Sequence, residues 1–394
     1  MFEISDEQRA LIHSVRQFVR QKILPVEEHL DPDETEVPHD VYERLTSVTR
    51  QMGLYNMDLP PELGGPEINL VTRCLLAIEM SQHRAGLYAP CYDAFGYPNY
   101  LPVMTAHATP YQQEKYIDRT VTGEIRGCFA LSEPSGGSDP GRSIQTRAVQ
   151  DGDDWIINGS KLWISHAHEA DYALLFARTG GPGRDGVTCF IVDTETPGFS
   201  VRRIVHTLRS SHPATELSLD DLRVPGKNIL GGLGKGFSLA NERLSRNRIP
   251  YSAACIGIAI RAQELAVEYA KIREAFGKKL SEHQGLAWML VESEHDIRSA
   301  TWMVLHAAAT ADAGRPFRTE AALAKVAATE AASRVVDRAI QVHGGMGVSR
   351  EMPLERWYRE LRIRRIGEGA TEVQKVIVSR DLFGSPYRSF LDKL

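Results

Sequence analysis

Glu368 stands between Gly367 and Gly369, where its neighbours give it almost no side-chain cover. A carboxylate in so bare a turn is either a partner for the positive end of the helix that follows or a base open to a substrate. Three other stretches carry residue types suited to holding a ligand. Residues 129–139 run from an apolar strand (Phe129, Leu131) into a loop with hydroxyls at Ser132, Ser135 and Ser138. The glycines there let backbone N–H groups approach a planar or anionic group, although such a loop can equally be a plain turn. Residues 158–165 follow an Asn-Gly pair, and alternation puts Trp163 and Ser165 on one strand face. An indole beside a hydroxyl suits an aromatic ring bearing acceptor nitrogens; a core Trp beside a surface Ser fits the pattern as well. Residues 273–284 hold Arg273, Phe276, His283 and Gln284 around the end of one helix and the start of another, where cations are favourable in any case. Gln341 precedes Gly344, Gly345 and Gly347, which permit close backbone approach after a helix.

Other motifs carry less. The glycine run at 231–236 lacks the spacing and the Ser or Thr of a P-loop. His166 and His168 have no acidic or Cys partner at metal spacing, so no metal is expected. Cys74, Cys91, Cys128, Cys189 and Cys255 are scattered without a CxxC pair and read as isolated thiols in a reducing compartment. Arg356, Arg359, Arg362, Arg364 and Arg365 are interleaved with Glu355 and Glu360, which points to a solvated or interface helix rather than a nucleic-acid surface.

The elements that must position these residues fall into three regions. From Ser5 to Gly123 the pattern is helical: Ser5 is an N-cap ahead of the apolar face Leu11, Ile12, Val15, Phe18 and Val19. Helices follow at about 39–52 and 69–82, and Thr109 caps another with Pro110 at its first position. From 125 to 225 short alternating runs predict strands at 143–149, 155–157, 161–165, 172–177, 187–192 and 199–204. Asp151-Gly152, Asn158-Gly159 and Asp185-Gly186 read as turns between them, and the spacing suits a small barrel or sandwich. From 237 long helices resume at 237–272, 282–313, 319–342, 352–365 and 369–382, as an antiparallel bundle requires. Strands and helices are segregated rather than alternating, which argues against a doubly wound nucleotide fold.

With 394 residues, 42% hydrophobic and 25% charged, the chain can build two or three domains. Its formal charge of -5 gives no general attraction to nucleic acid or anionic lipid. Any anionic ligand must therefore be held by local Arg clusters or backbone N–H groups. No apolar run approaches the roughly 20 residues of a membrane span, and no signal peptide is read before the first helix.

In order and spacing these segments resemble the acyl-CoA dehydrogenase family across nearly the whole chain. The resemblance rests on Leu-Ser-Glu-Pro-x-x-Gly-Ser-Asp at 131–139, Asn-Gly-x-Lys-x-Trp-Ile-Ser at 158–165 and Arg-x-x-Phe-Gly at 273–277. Gln-x-x-Gly-Gly-x-Gly at 341–347 and Glu-Gly-x-x-Glu at 368–372 complete it. The later half looks nearer to the branch of the human members ten and eleven. The resemblance implies an α+β multidomain protein: an N-terminal helical domain (1–123), a middle β-barrel (124–230) and a C-terminal four-helix bundle (231–394). It also implies FAD-dependent α,β-dehydrogenation of an acyl-CoA to the trans-2-enoyl-CoA, within fatty acid metabolism. Glu368 would be the α-proton base, and flavin N5 would receive the hydride. Phe129, Leu131, Ser132, Trp163 and Ser165 would contact the flavin. Arg273, Phe276, His283, Gln284, Gln341, Gly344 and Gly345, from a neighbouring subunit, would hold its adenosine and pyrophosphate. Ser138, Arg248 and Gly369 would meet the substrate. A cytoplasmic homotetramer, a dimer of dimers, passing electrons to an electron-transferring flavoprotein is implied.

Three alternatives stay open at this point: an acyl-carrier-protein-linked dehydrogenase, an oxidase or monooxygenase on the same scaffold, against which the presence of Glu368 counts, and a non-catalytic flavin-binding tetramer. Some members place the base on the first bundle helix, where this chain has Asn247, with Glu242 five residues early. Gly367 replaces an aromatic residue that many members carry before the catalytic Glu.

Overall fold

The computed structural model describes residues 4–31, 37–85, 94–96, 99–209 and 213–384; Cys91 lies outside them. Its main helices are α1 (Asp6–Phe18), α2 (His39–Gln51), α3 (Leu70–Met80), α4 (Leu101–His107), α5 (Gly236–Ile272), α6 (Gln284–Asp312), α7 (Arg318–His343), α8 (Leu354–Arg364) and α9 (Thr371–Phe383). The strands are β1 (Gly127–Ala130), β2 (Arg147–Asp151), β3 (Asp154–Ser165), β4 (Tyr172–Arg178), β5 (Val187–Asp193), β6 (Phe199–Val205), β7 (Ala214–Pro225), β8 (Ile229–Leu230) and the small pair β9 (Glu274–Ala275) and β10 (Lys278–Lys279). No helix of the described residues is long and apolar enough to cross a membrane.

The chain divides into two compact units. One is built from 1–48, 68–94 and 245–394, the other from 49–67 and 95–244. In the first, Ser5 and Gln8 form a capping box that starts α1, which buries Val15 and Phe18. Its core is rich in alanine: Ala254, Ala262 and Ala266 of α5 meet Ala324, Ala328 and Ala332 of α7 in one cluster. Small side chains let helix backbones come close. Gly257 of α5 is the extreme case, since a Cβ there would strike the Ile78 carbonyl and Ser81 Oγ at the end of α3. Asp312 closes the other end of α3, accepting from Leu70 N at 2.8 Å and Val71 N at 3.0 Å.

The second unit is organised by one eight-stranded sheet in the order β6-β7-β3-β2-β4-β5-β8, with β1 parallel to β4. Trp155 of β3 lies 5.8 Å from Phe190 of β5. Flat strands that far apart in the order would be separated by roughly 14 Å, so the sheet curls around a core of its own. β4 and β5 are buried on both faces. One face lines that core with Leu175 and Phe190, and the other packs Leu174 and Phe176 under Leu101, Tyr116 and Leu239.

Three expectations need correction. Residues 155–157 and 161–165 are one strand, and Asn158-Gly159 is a bulge within it rather than a hairpin turn. Asn158 exchanges two hydrogen bonds with Asp221 on β7, at 3.0 and 2.8 Å. Gly159 takes φ 152° with Thr146 pressed against the place of its missing side chain. The strand predicted at 143–149 begins only at Arg147, because the N–H groups of Gln145 and Thr146 bond the Glu133 carboxylate instead of a ladder. The strand β7 was not predicted: Leu217 and Leu219 alternate inward, then a left-handed Asp221 (φ 45°) breaks the period before Leu222 and Val224.

Candidate active site

Glu368 lies in the turn between α8 and α9, but it does not cap α9. The N-cap position is Ala370, which offers no side-chain cap. Glu368 adopts a left-handed φ of 56°, followed by Gly369 at 90°. A non-glycine residue there is strained and persists only where its surroundings hold it. They do so through the main chain. Lys325 of α7 donates its ammonium to the carbonyl of Gly367 at 2.7 Å and also to that of Gly369. Arg248 of α5 donates Nε to the carbonyl of Glu368 itself at 3.2 Å, and Gln374 of α9 donates to the Gly369 carbonyl at 2.9 Å. Three consecutive carbonyls are thus taken by side chains from three helices.

These side chains are buried: Arg248 is 4% exposed, Lys325 1% and Gln374 0%. Burial pushes the Lys325 amine down to about 8, against the pull of the Glu368 charge. Tyr251 of α5 completes the surround. Its hydroxyl stands 3.2 Å from where a side chain on Gly367 would begin, so the room left by that glycine is filled from the opposite helix. The Arg364 guanidinium lies over the Tyr251 ring at 3.9 Å.

In the second unit β1 leads into Leu131, Ser132 and Glu133. Leu131 is buried in the core, while Phe129 and Ser132 are partly exposed. Phe129 packs 4.8 Å from Phe176 and lies under the Arg243 guanidinium at 4.5 Å. The loop is tied to β3: Leu162 N donates to the Ser132 carbonyl at 3.0 Å, and the buried Lys161 ammonium binds Glu133 at 2.7 Å and the Leu131 carbonyl at 3.2 Å. On β3 a second register shift between Leu162 and Ile164 puts Trp163 at φ 67°. Trp163 is 55% exposed, which disposes of the core-Trp alternative, and Ser165 beyond it is partly exposed. Ser138 is exposed in its loop.

The remaining candidates gather at one end of the first unit. α5 ends at Ile272, and β9 and β10 form a hairpin whose tip, Phe276-Gly277, has positive φ at both residues, 53° and 78°. Phe276 is 98% exposed. His283, just before α6, bonds the Ala275 carbonyl at 3.0 Å, and Gln284 opens α6 exposed. Tyr269 of α5 stacks on His343 at 4.5 Å, which brings the end of α7, with Gln341, Gly344 and Gly345, beside the Arg273 hairpin. A side chain on Gly344 or Gly345 would meet nothing within 4 Å. From Lys325 to His343, α7 spans about 27 Å at 1.5 Å per residue, so this end is remote from Glu368 of the same chain.

Lys325, Gln374, Tyr251 and the Lys161–Glu133 pair were not singled out by sequence. A signal existed for Lys325: helical spacing sets it on the alanine face with Ala321, Ala328 and Ala332. Glu242 is half-exposed and paired with His107 at 3.1 Å. His166 and His168 both lean on Glu169, and no group of three or more metal-binding side chains occurs among the described residues. Arg356 and Arg364 are buried, while Arg359 and Arg365 pair with Glu355 and Glu330, so the Arg run presents no continuous basic face.

The models for the acyl-CoA dehydrogenase N-terminal, middle and C-terminal domains match residues 5–124, 128–222 and 234–383. The mitochondrial short-chain specific acyl-CoA dehydrogenase of Rattus norvegicus is 34% identical over 98% of this chain and 92% of its own length. The butyryl-CoA dehydrogenase of Megasphaera elsdenii superposes with a TM-score of 0.85 at 30% identity, covering 97% of this chain and 99% of that one. A chain from the structural study of the electron transferring flavoprotein of Acidaminococcus fermentans gives 0.85 at 30%, covering 98% and 100%. Similarity of this extent to short-chain enzymes does not speak for the branch of the human members ten and eleven. With three domain models in register and relatives a third identical along nearly all of its length, the chain belongs to the acyl-CoA dehydrogenase family.

Proposed function

We propose that this protein oxidises a short-chain acyl-CoA to the trans-2-enoyl-CoA, with Glu368 as the base that removes the α-proton. The observation that carries the reading is the Glu368 turn: a strained left-handed carboxylate, relieved of helix capping and held by three buried donors. The names of the rat and Megasphaera relatives support the substrate class. An α-proton beside a thioester is too weakly acidic for a free carboxylate, so charge developing on the thioester oxygen needs donors. The Glu368 backbone N–H would be the donor from this chain.

FAD fits the residues present. Trp163 and Phe276 are large, rigid and exposed, Gly344 and Gly345 leave open backbone, and Arg273 offers a cation. Phe129, Leu131, Ser132, Trp163 and Ser165 would hold the ring. Arg273, Phe276, His283, Gln284, Gln341, Gly344 and Gly345 would hold the adenosine and pyrophosphate. Bound FAD would supply the two-electron acceptor for the β-hydrogen. The span of α7 between Glu368 and the adenosine-binding end supports those residues serving the FAD of another copy. Trp288, Val291 and Trp302 of α6, each more than half exposed, are suited to being covered in a homotetramer. Ser138, Arg248 and Gly369 would meet the substrate, and an electron-transferring flavoprotein would take the electrons. The three-domain division is supported by the family matches: the first ends at 124, one residue past the boundary at 123, and the boundary at 230 falls between the matches at 128–222 and 234–383. A cytoplasmic location completes the proposal; cell fractionation tests it, since the rat relative is mitochondrial by name.

The purified protein is expected to be yellow and to release FAD on denaturation. Glu368→Gln should keep FAD and bind acyl-CoA while anaerobic bleaching slows by about 10³-fold or more. Bleaching at the unaltered rate in that variant would place the base elsewhere.

A further inference from the structure

We propose that Lys325 is a positioning residue for Glu368: its ammonium grips the carbonyls on either side and so fixes the turn that presents the carboxylate. This rests on the reading of Glu368 as the base. Two carbonyls separated by one residue converge on a single donor only if the chain doubles back between them, as φ of 56° at Glu368 and 90° at Gly369 allow. Once both carbonyls are drawn to Lys325, and that of Glu368 to Arg248, little freedom remains in the direction of the Glu368 Cα–Cβ bond. Carboxylate placement is therefore decided by the main chain.

The chemistry requires this residue type. An ammonium carries three donors on one atom and can take two carbonyls of one loop. Lys325 reaches them from inside the alanine-rich core, where a charge is costly to keep and a methionine of similar shape would pack as well. The charged and titratable groups around it are Arg248 and Cys255 of α5, Arg364 of α8 and Glu368; the Tyr251 ring lies 5.8 Å away. Glu368 is the one carboxylate in that group, so the grip and the charge balance act on the same residue.

The test compares Lys325→Met, Glu368→Gln and the unaltered FAD-loaded enzyme with butyryl-CoA carrying hydrogen or deuterium at the α-carbon, in anaerobic flavin bleaching and in steady-state turnover with a dye as electron acceptor. Lys325→Met is expected to lower kcat by about 100-fold, the scale of an ångström-sized misplacement of a reacting group. KM should stay within about threefold, and the α-deuterium isotope effect should grow as proton removal becomes limiting. A normal kcat and isotope effect, with or without a lower Tm, would leave Lys325 a merely structural residue and overturn the proposal. Should Lys325→Met fail to fold, Gln374→Met removes the second donor to the Gly369 carbonyl. It should slow kcat about tenfold with the same rise in isotope effect, and unchanged values there overturn the proposal equally. Normal bleaching by Glu368→Gln would sink the base assignment itself, a result separate from either outcome at Lys325.

Discussion

Lys161→Met should destabilise the protein in a way that reverses its response to acid. In the native enzyme the Lys161 ammonium meets Glu133 at 2.7 Å, with the side chains 0% and 3% exposed. Burial alone would push the Glu133 carboxyl up, but Lys161 and the bonds from Thr146 and Gln145 outweigh it and hold the carboxyl below its ordinary range. A depressed folded value means the unfolded chain takes up the proton first. The stabilisation is present above the unfolded value and lost as pH falls through the folded one. Removing one partner of a buried pair costs about 3–5 kcal/mol. Glu133 keeps its bonds from Gln145 N at 2.6 Å and Thr146 N at 3.1 Å, which argues for the lower end, about 3 kcal/mol. Melting should then fall by about 4 °C near pH 7, since about 2.1 cal/mol/K per residue over 394 residues gives an unfolding entropy of about 0.8 kcal/mol/K.

In Lys161→Met the burial effect on Glu133 is opposed only by the bonds from Thr146 and Gln145, and the carboxyl is expected to rise above the unfolded value. The folded state then takes the proton first, and stability falls as pH rises. The Tm gap to the native enzyme should accordingly narrow from about pH 7 to about pH 5. Lys161→Met/Glu133→Gln should regain about 2 kcal/mol of the loss, since it strands no charge. Scanning calorimetry of the native protein, Lys161→Met, Glu133→Gln and the double variant at the two pH values decides the matter. A gap that widens toward acid, or a double variant whose losses simply add, refutes the reasoning.

Asp312→Ala removes the acceptor for Leu70 N and Val71 N and should cost about 1 kcal/mol, with faster hydrogen exchange at those two amides as its signature. Gly257→Ala drives a methyl into the Ile78 carbonyl and should cost about 2–3 kcal/mol by thermal melting; an unchanged Tm would mean the α3–α5 contact is looser than described. Trp163→Ala should weaken FAD binding to the apoprotein about tenfold in a fluorescence titration, the worth of one stacked ring, and equal affinity would remove the indole from the flavin wall.

Much of this was legible in the residues. Ser5 capped α1 and Thr109 capped the segment at Pro110 because a hydroxyl followed three residues later by Gln is a local signal. The long bundle helices announced themselves through their glycine breaks. The bulge at Asn158 was misread because Asn-Gly suits a turn by its own chemistry, and only its partner Asp221, far along the chain, makes it a bulge. Strand β7 was hidden by the matching irregularity. Glu368 was visible from its two glycines, whereas what holds it was not: Arg248, Lys325 and Gln374 come from three helices whose mutual placement is tertiary.

The unit that contains Glu368 is assembled from residues 1–48, 68–94 and 245–394. During synthesis α1 and α3 leave the ribosome with their apolar faces bare and must wait for α5–α7 before a core exists around them. At typical elongation rates of 5–20 residues per second, the last of these segments alone takes on the order of ten seconds or longer to appear. Nascent chains stalled before residue 318 would lack both α7 and the base, leaving α3 a ready target for chaperones.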